Sequence, residues 1–73
     1  MTAEEIRKLY RATPFVPFTI CLEDGRSFQV LQREFLAISP TGRSVIVSTP
    51  DDSFEFIDFK SVCKLEMHGP NVT

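Results

Sequence analysis

The chain has 73 residues, a net charge of −2 and 42% hydrophobic residues, a composition typical of one small globular domain. It contains no apolar stretch near the roughly 20 residues of a membrane helix and no signal-peptide pattern at its start. We therefore expect a cytoplasmic protein with no membrane contact. A domain of this size buries only about 60% of its unfolded surface, so we expect a partner chain to add stability.

Residues 2–12 are predicted to form an amphipathic helix. Thr2 and Glu5 have the spacing of a capping box, which marks a helix start. Pro14 ends the helix, because its ring disfavours helical geometry at the preceding residue. The apolar residues that share one face at helical spacing are Ile6, Leu9 and Tyr10. Three turns are marginal alone in water, so this face must dock on the rest of the domain.

The segment after the helix predicts a β-hairpin around Asp24-Gly25. A two-residue loop would put the apolar positions of the two strands on opposite faces. A three-residue loop, Glu23 to Gly25, places Ile20 opposite Phe28 on the same face. Such a loop is a type I turn followed by a left-handed residue, and glycine adopts that conformation without steric cost.

Alternating or short apolar runs continue to the end of the chain and predict further antiparallel strands. The third run either forms its own strand or continues the second as one bent strand, and the apolar run from Val45 to Val47 predicts burial on both faces. The predicted strands cover residues 18–23, 26–32, 35–39, 44–49, 53–59 and 62–67. We predict a mainly β protein with one N-terminal helix (α+β), a five-stranded antiparallel bent sheet or small barrel. Residues 1–68 form the single domain and 69–73 a flexible tail.

No residue pattern in the sequence predicts catalysis, a metal site or a cofactor. Cys21 and Cys63 lie inside apolar runs, which favours buried free thiols over a disulfide because no second pair completes a framework. His68 lies beside Gly69-Pro70, and an unanchored histidine is a poor general base. The acidic residues Asp51, Asp52 and Glu55 lack the ordered spacing of a calcium loop, and aspartate is common in turns. We expect a protein that is not an enzyme.

Two surfaces are candidates for binding. The strand over 53–59 carries aromatic residues on both faces, more than a monomer core needs, and an exposed apolar surface of this kind marks an interface. We therefore predict a homo-oligomer or protein complex through Phe54, Phe56, Ile57 and Phe59. The alternative is RNA binding through the basic helix residues Arg7, Lys8 and Arg11, although an acidic chain disfavours nucleic acid. No DNA partner is expected.

Two resemblances extend this interpretation. The segments Pro14–Ile20, Leu22–Arg26 and Glu34–Pro40 resemble a family of very short bacterial proteins for which no activity is assigned. The order of helix, Asp-Gly hairpin and further strands is similar to the SH3-like barrel of Sm-like proteins, which include the bacterial RNA chaperone Hfq. That resemblance implies RNA binding and subunit rings, and it places Phe59-Lys60 at the position of the chaperone's Lys-His pair. Lys60 is thereby a further candidate RNA contact.

Overall fold

The computed structural model describes residues 3–68 and is mainly β with one N-terminal helix, as predicted. Short 3-10 turns at Arg33–Phe35 and Phe59–Ser61 precede the third and sixth strands. The helix and strands in chain order are α1 (Ala3–Arg11), β1 (Phe18–Leu22), β2 (Ser27–Val30), β3 (Leu36–Ile38), β4 (Ser44–Ser48), β5 (Phe54–Asp58) and β6 (Val62–Met67).

The strands form two antiparallel three-stranded sheets. The first sheet has the order β2-β1-β6, and the second has the order β3-β4-β5. The prediction of a five-stranded sheet or a barrel is therefore wrong: among residues 3–68 there are six strands, and they do not close into a barrel. The physical reason is the 3-10 turn at Arg33–Phe35, which lies between β2 and β3 and directs β3 into the other sheet.

The hairpin of β1 and β2 has the predicted three-residue loop. Ile20 lies opposite Phe28, and the amide of Leu22 donates to the carbonyl of Arg26 at 2.8 Å. Gly25 has a φ of 95°, a conformation that disfavours residues with a Cβ. The register predicted from matching the apolar faces is therefore the observed one. A shift by one residue would have turned every side chain of β2 to the opposite face.

The hydrophobic core lies where the inner faces of both sheets and the helix meet. Ile6 of α1 is fully buried, and Leu9 and Tyr10 pack against the core, so the predicted docking face of the helix is confirmed. The predicted cap at Thr2 and the predicted tail over 69–73 lie outside the described residues. The core residues contributed by the strands and the second 3-10 turn are Phe18, Ile20, Leu22, Val30, Leu36, Val45, Val47, Ile57, Phe59 and Val62.

Arg33 joins the end of the helix to the segment between the sheets. Its Nε donates to the carbonyl of Tyr10 at 2.7 Å, and its Nη2 donates to the carbonyl of Ala12. Its guanidinium lies over the ring of Phe15, 5.6 Å from the ring centroid. The last carbonyls of a helix have no partner within the helix, so Arg33 supplies hydrogen bonds at this end from a distant part of the chain.

Candidate functional site

The hairpin between β4 and β5 fixes where β5 begins. The amide of Thr49 donates to the carbonyl of Ser53 at 2.9 Å, and the amide of Asp52 donates to the carbonyl of Thr49 at 3.1 Å. Asp52 has a φ of 67°, a region that aspartate tolerates better than most residues. The carboxylate of Asp51 accepts from the Thr49 hydroxyl and from the Ser53 amide. The loop is thus held by its own side chains.

The same hydrogen bonds lower the pKa of Asp51. The first cause is the bond from the Thr49 side chain, followed by the bonds from Ser53, and the result lies below the ordinary value of 3.8. A carboxyl whose pKa is lower in the folded state stabilises the fold above its unfolded pKa. That contribution is lost as the pH falls through the folded pKa, so the hairpin loses support only in strongly acidic solution.

The outer face of the second sheet is apolar. Ala37 of β3, Ile46 of β4 and Phe56 of β5 lie directly opposite one another across the three strands. Phe54 and Phe56 are 67% and 76% exposed. A shallow depression of about 320 Å³ lies between these side chains. The residues that we call the apolar face are Phe35, Ala37, Ile46, Phe54 and Phe56.

Two residues of the predicted interface are not on this surface. Ile57 is 2% exposed and Phe59 is 5% exposed, and both belong to the core. Their placement on a surface is therefore corrected, because strand alternation turns Ile57 inward between the outward-facing positions 56 and 58. Sequence reasoning also missed Phe35, Ala37 and Ile46. The one signal for them was the continuous run from Val45 to Val47, in which Ile46 faces outward and is half-buried.

A second groove continues from the apolar face. It has a volume of about 490 Å³ and runs past Phe28 and Leu31 toward Val47. Phe35 and Ser48 line both the groove and the depression on the apolar face. Leu31 is 50% exposed and Phe35 is 38% exposed. The exposed apolar surface therefore extends beyond β5, across Phe35, to the end of β2.

The outer face of the first sheet is polar. The Cys21 thiol donates to Oε1 of Glu66 at 3.2 Å, and Nζ of Lys64 lies 3.9 Å from the same oxygen. The hydrogen bond to Glu66, with partial burial as the second cause, raises the pKa of Cys21. Cys21 is half-buried and Cys63 is exposed. The interpretation of both cysteines as core thiols is therefore wrong.

His68 is better held than its position in the sequence predicts. Its amide donates to the carbonyl of Pro17 at 2.8 Å, and its Nε2 shares a hydrogen bond with the hydroxyl of Thr19. These contacts extend the pairing of β6 with β1 by one residue. Thr19 is buried, and this hydrogen bond gives its hydroxyl a partner, so the pair has a structural role.

The basic residues are only partly brought together. Arg7 and Arg11 line a cleft of about 290 Å³ with Tyr10 and the segment Ile38–Pro40. Nη1 of Arg7 also lies 3.4 Å from Oε1 of Glu4, and this ion pair offsets part of the positive potential of Arg7. The residues lining the cleft do not include Lys8 or Lys60, both of which are exposed. Lys60 lies on the 3-10 turn after β5, where its amide donates to the Asp58 carboxylate.

Among residues 3–68, no group of three or more His, Cys, Asp or Glu side chains is placed to hold a metal ion. In the same part of the chain no helix has both the length and the apolar character to span a membrane. Comparison with family models, with curated proteins and with solved structures finds no match to this chain.

Proposed function

We propose that this protein is a small non-enzymatic assembly module that self-associates through β5 and the apolar face. The observation that supports the proposal is the pair of exposed rings, Phe54 and Phe56, on an edge strand of the second sheet. The largest contiguous apolar patch on a soluble protein is often an interaction site. The occupant we propose is a second copy of this chain, in a reducing cytoplasm.

The hydrogen-bonding pattern of β5 supports pairing through its free edge. Bonded and non-bonded pairs alternate along an antiparallel ladder, and both the Thr49–Ser53 and the Arg43–Phe59 pairs carry backbone bonds. Positions 55 and 57 therefore bond to β4. By the same alternation, Phe54, Phe56 and Asp58 direct their N–H and C=O groups away from β4, toward solvent. An edge of this kind is a template for another strand.

A two-fold axis through Phe56 satisfies all of these groups at once. Phe56 then pairs with Phe56 of the second copy, and Phe54 pairs with Asp58 of the second copy. No like charges face one another in this register, and such pairs would be destabilising. The two second sheets join into one six-stranded sheet, and the two apolar faces become continuous across the axis.

The available area predicts a weak association. With about 200 Å² per ring, the exposed parts of Phe35, Phe54 and Phe56 offer about 350 Å² per copy. Two copies can bury at most about 700 Å² of aromatic surface, which is below the range of standard stable interfaces. Backbone bonds along the edge add to this. We therefore expect a reversible, concentration-dependent dimer.

Phe56→Pro and Phe56→Val form a matched pair that tests this proposal. Both remove the ring and leave a similar apolar volume, but only proline removes the N–H that faces the edge. We expect wild type to dimerise with rising concentration in sedimentation velocity, the valine variant to dimerise more weakly, and the proline variant to remain monomeric. Circular dichroism confirms folding, because the ladder to β4 does not use that N–H.

Met67→Ser is the control for nonspecific association through exposed apolar side chains. Met67 is 50% exposed and lies on β6, away from β5, so this variant is expected to dimerise like wild type. A wild-type protein that stays monomeric at all concentrations contradicts self-association. Equal weakening by proline and valine contradicts edge pairing and leaves contact between the apolar faces as the cause.

The second candidate function is RNA binding. It is supported by the cleft that Arg7 and Arg11 share. Phosphate contacts weaken steeply with salt, so titration with single-stranded RNA is decisive at low ionic strength. We expect an Arg7→Ala/Arg11→Ala variant to bind less than Lys8→Ala, since Lys8 does not line the cleft. RNA that fails to bind wild type at low salt contradicts this candidate.

A further inference from the structure

A β-bulge in β6 places the two cysteines side by side. Cys21 pairs with Lys64, but the next residue of β1, Leu22, pairs with Val62, so Cys63 is an extra residue in β6. In such a bulge two residues of one strand oppose a single residue of the other. Cys63 and Lys64 therefore both lie opposite Cys21.

Burial shows on which side of the sheet these residues lie. Val62 is buried and Leu65 is half-buried and packed against the core, so both face inward. Cys63 and Lys64, between them, are both exposed. Cys21 is on the outer side as well, where its thiol contacts Glu66. Without the bulge, strict alternation would have put Cys63 and Lys64 on opposite faces.

We propose that Cys21 and Cys63 form a reversible intramolecular disulfide between β1 and β6. Cys63 adjoins Lys64, the Cα partner of Cys21, and in the bulge both residues oppose Cys21, so the two cysteines are cross-strand neighbours of the kind that a disulfide can join. Both sulfurs are accessible from the same side of the sheet. The Cys63 thiol is also close enough to contribute to the raised pKa of Cys21.

The reaction is thiol–disulfide exchange with a small disulfide such as oxidised glutathione. The thiolate of Cys63, the more exposed residue, attacks one sulfur of the small disulfide and releases one molecule of reduced thiol. The thiolate of Cys21 then attacks the Cys63 sulfur and releases the second molecule of thiol. The protein loses two protons and two electrons, and the small disulfide gains both. Glu66 is the nearest acceptor for the Cys21 proton.

The consequence is a covalent link of the kind that so small a domain otherwise lacks. The disulfide closes a loop of about 40 residues, and the entropy lost by the unfolded chain grows with loop length. It lies across the exposed face of the first sheet, where exposed disulfides are readily reduced. In a reducing compartment the bond is therefore transient, and its formation reports oxidising conditions.

The test is equilibration of wild type in glutathione redox buffers at low micromolar protein concentration. We expect oxidised protein to be two hydrogens lighter by mass spectrometry, to carry no free thiol, and to run as a single chain in a denaturing non-reducing gel. Its thermal midpoint is expected to rise by about 10 °C or more. Cys21→Ser is expected to accumulate a mixed disulfide on Cys63, whereas Cys63→Ser reacts slowly, because Cys21 is half-buried.

Other products would overturn the proposal. Wild type that ends with glutathione on both cysteines, or that crosslinks into disulfide dimers, shows that the two sulfurs do not meet within one chain. An intramolecular disulfide without a higher thermal midpoint removes the stabilising role. None of these readouts depends on the β5 edge, so the result is independent of self-association.

Discussion

Phe18→Ala is expected to destabilise the fold by about 4 kcal/mol. Phe18 is fully buried in β1, the central strand of the first sheet, and its ring centroid lies 5.9 Å from that of Phe15. Alanine removes the ring and leaves a cavity that the paired strands on both sides cannot collapse to fill. Total stability of a domain this size is about 4–11 kcal/mol, so the substitution is expected to remove from about a third to all of it.

The matched control for this prediction is Phe54→Ala. It deletes the same atoms from a side chain that is 67% exposed, and surface substitutions change stability by about 0.5 kcal/mol or less. Urea unfolding at low protein concentration separates the two effects, because β5 contacts between copies are then absent. Similar midpoints for the two variants would show that Phe18 is not a core residue.

Arg33→Met is the second substitution with a large expected effect, about 2–3 kcal/mol of lost stability. Methionine keeps much of the side-chain volume but removes both hydrogen bonds to the carbonyls of Tyr10 and Ala12. Those carbonyls then lose their partner at the end of the helix. Thermal unfolding measures the loss. Relative to wild type, hydrogen exchange is expected to speed up more at the amides of α1 than at those of β1.

Two further variants isolate the cause. Arg26→Met also removes an arginine beside an aromatic ring, but Arg26 and its partner Asp24 are exposed, so the expected loss is below about 1 kcal/mol. Arg33→Lys keeps the charge but cannot hold both carbonyls in one planar fork, so an intermediate loss is expected. If Arg33→Lys matches wild type, charge alone explains the role of Arg33.

The sequence predicted those elements whose signals are local. The helix, the approximate positions of the strands and the Glu23–Gly25 loop follow from spacing, from turn chemistry and from the need to match apolar faces. The loop could be decided because only one length brings Ile20 opposite Phe28. Exposure at Phe54 and Phe56 could be anticipated only as a surplus of aromatic residues, since alternation does not reveal which side of a strand meets the core.

The errors concern long-range geometry. The 3-10 turn after Gln32 divides the strands between two sheets. In the sequence this turn is visible only as the polar run Gln32-Arg33-Glu34, which is equally compatible with a bend in one continuous strand. The extra residue Cys63 reverses the alternation in β6, which a regular strand pattern cannot predict. Arg33 contacts carbonyls more than 20 positions earlier in the chain, and its neighbours in sequence carry no trace of that contact.

The two sheets also differ in when they can form during synthesis. The second sheet is a meander of three consecutive strands, whereas the first joins β1 to β6 across most of the chain. Local pairings close quickly and distant ones slowly, so a ribosome-bound chain can complete the second sheet while β1 still lacks one neighbour. Until β6 emerges and pairs, the unpaired side of β1 is open to strands of other nascent chains.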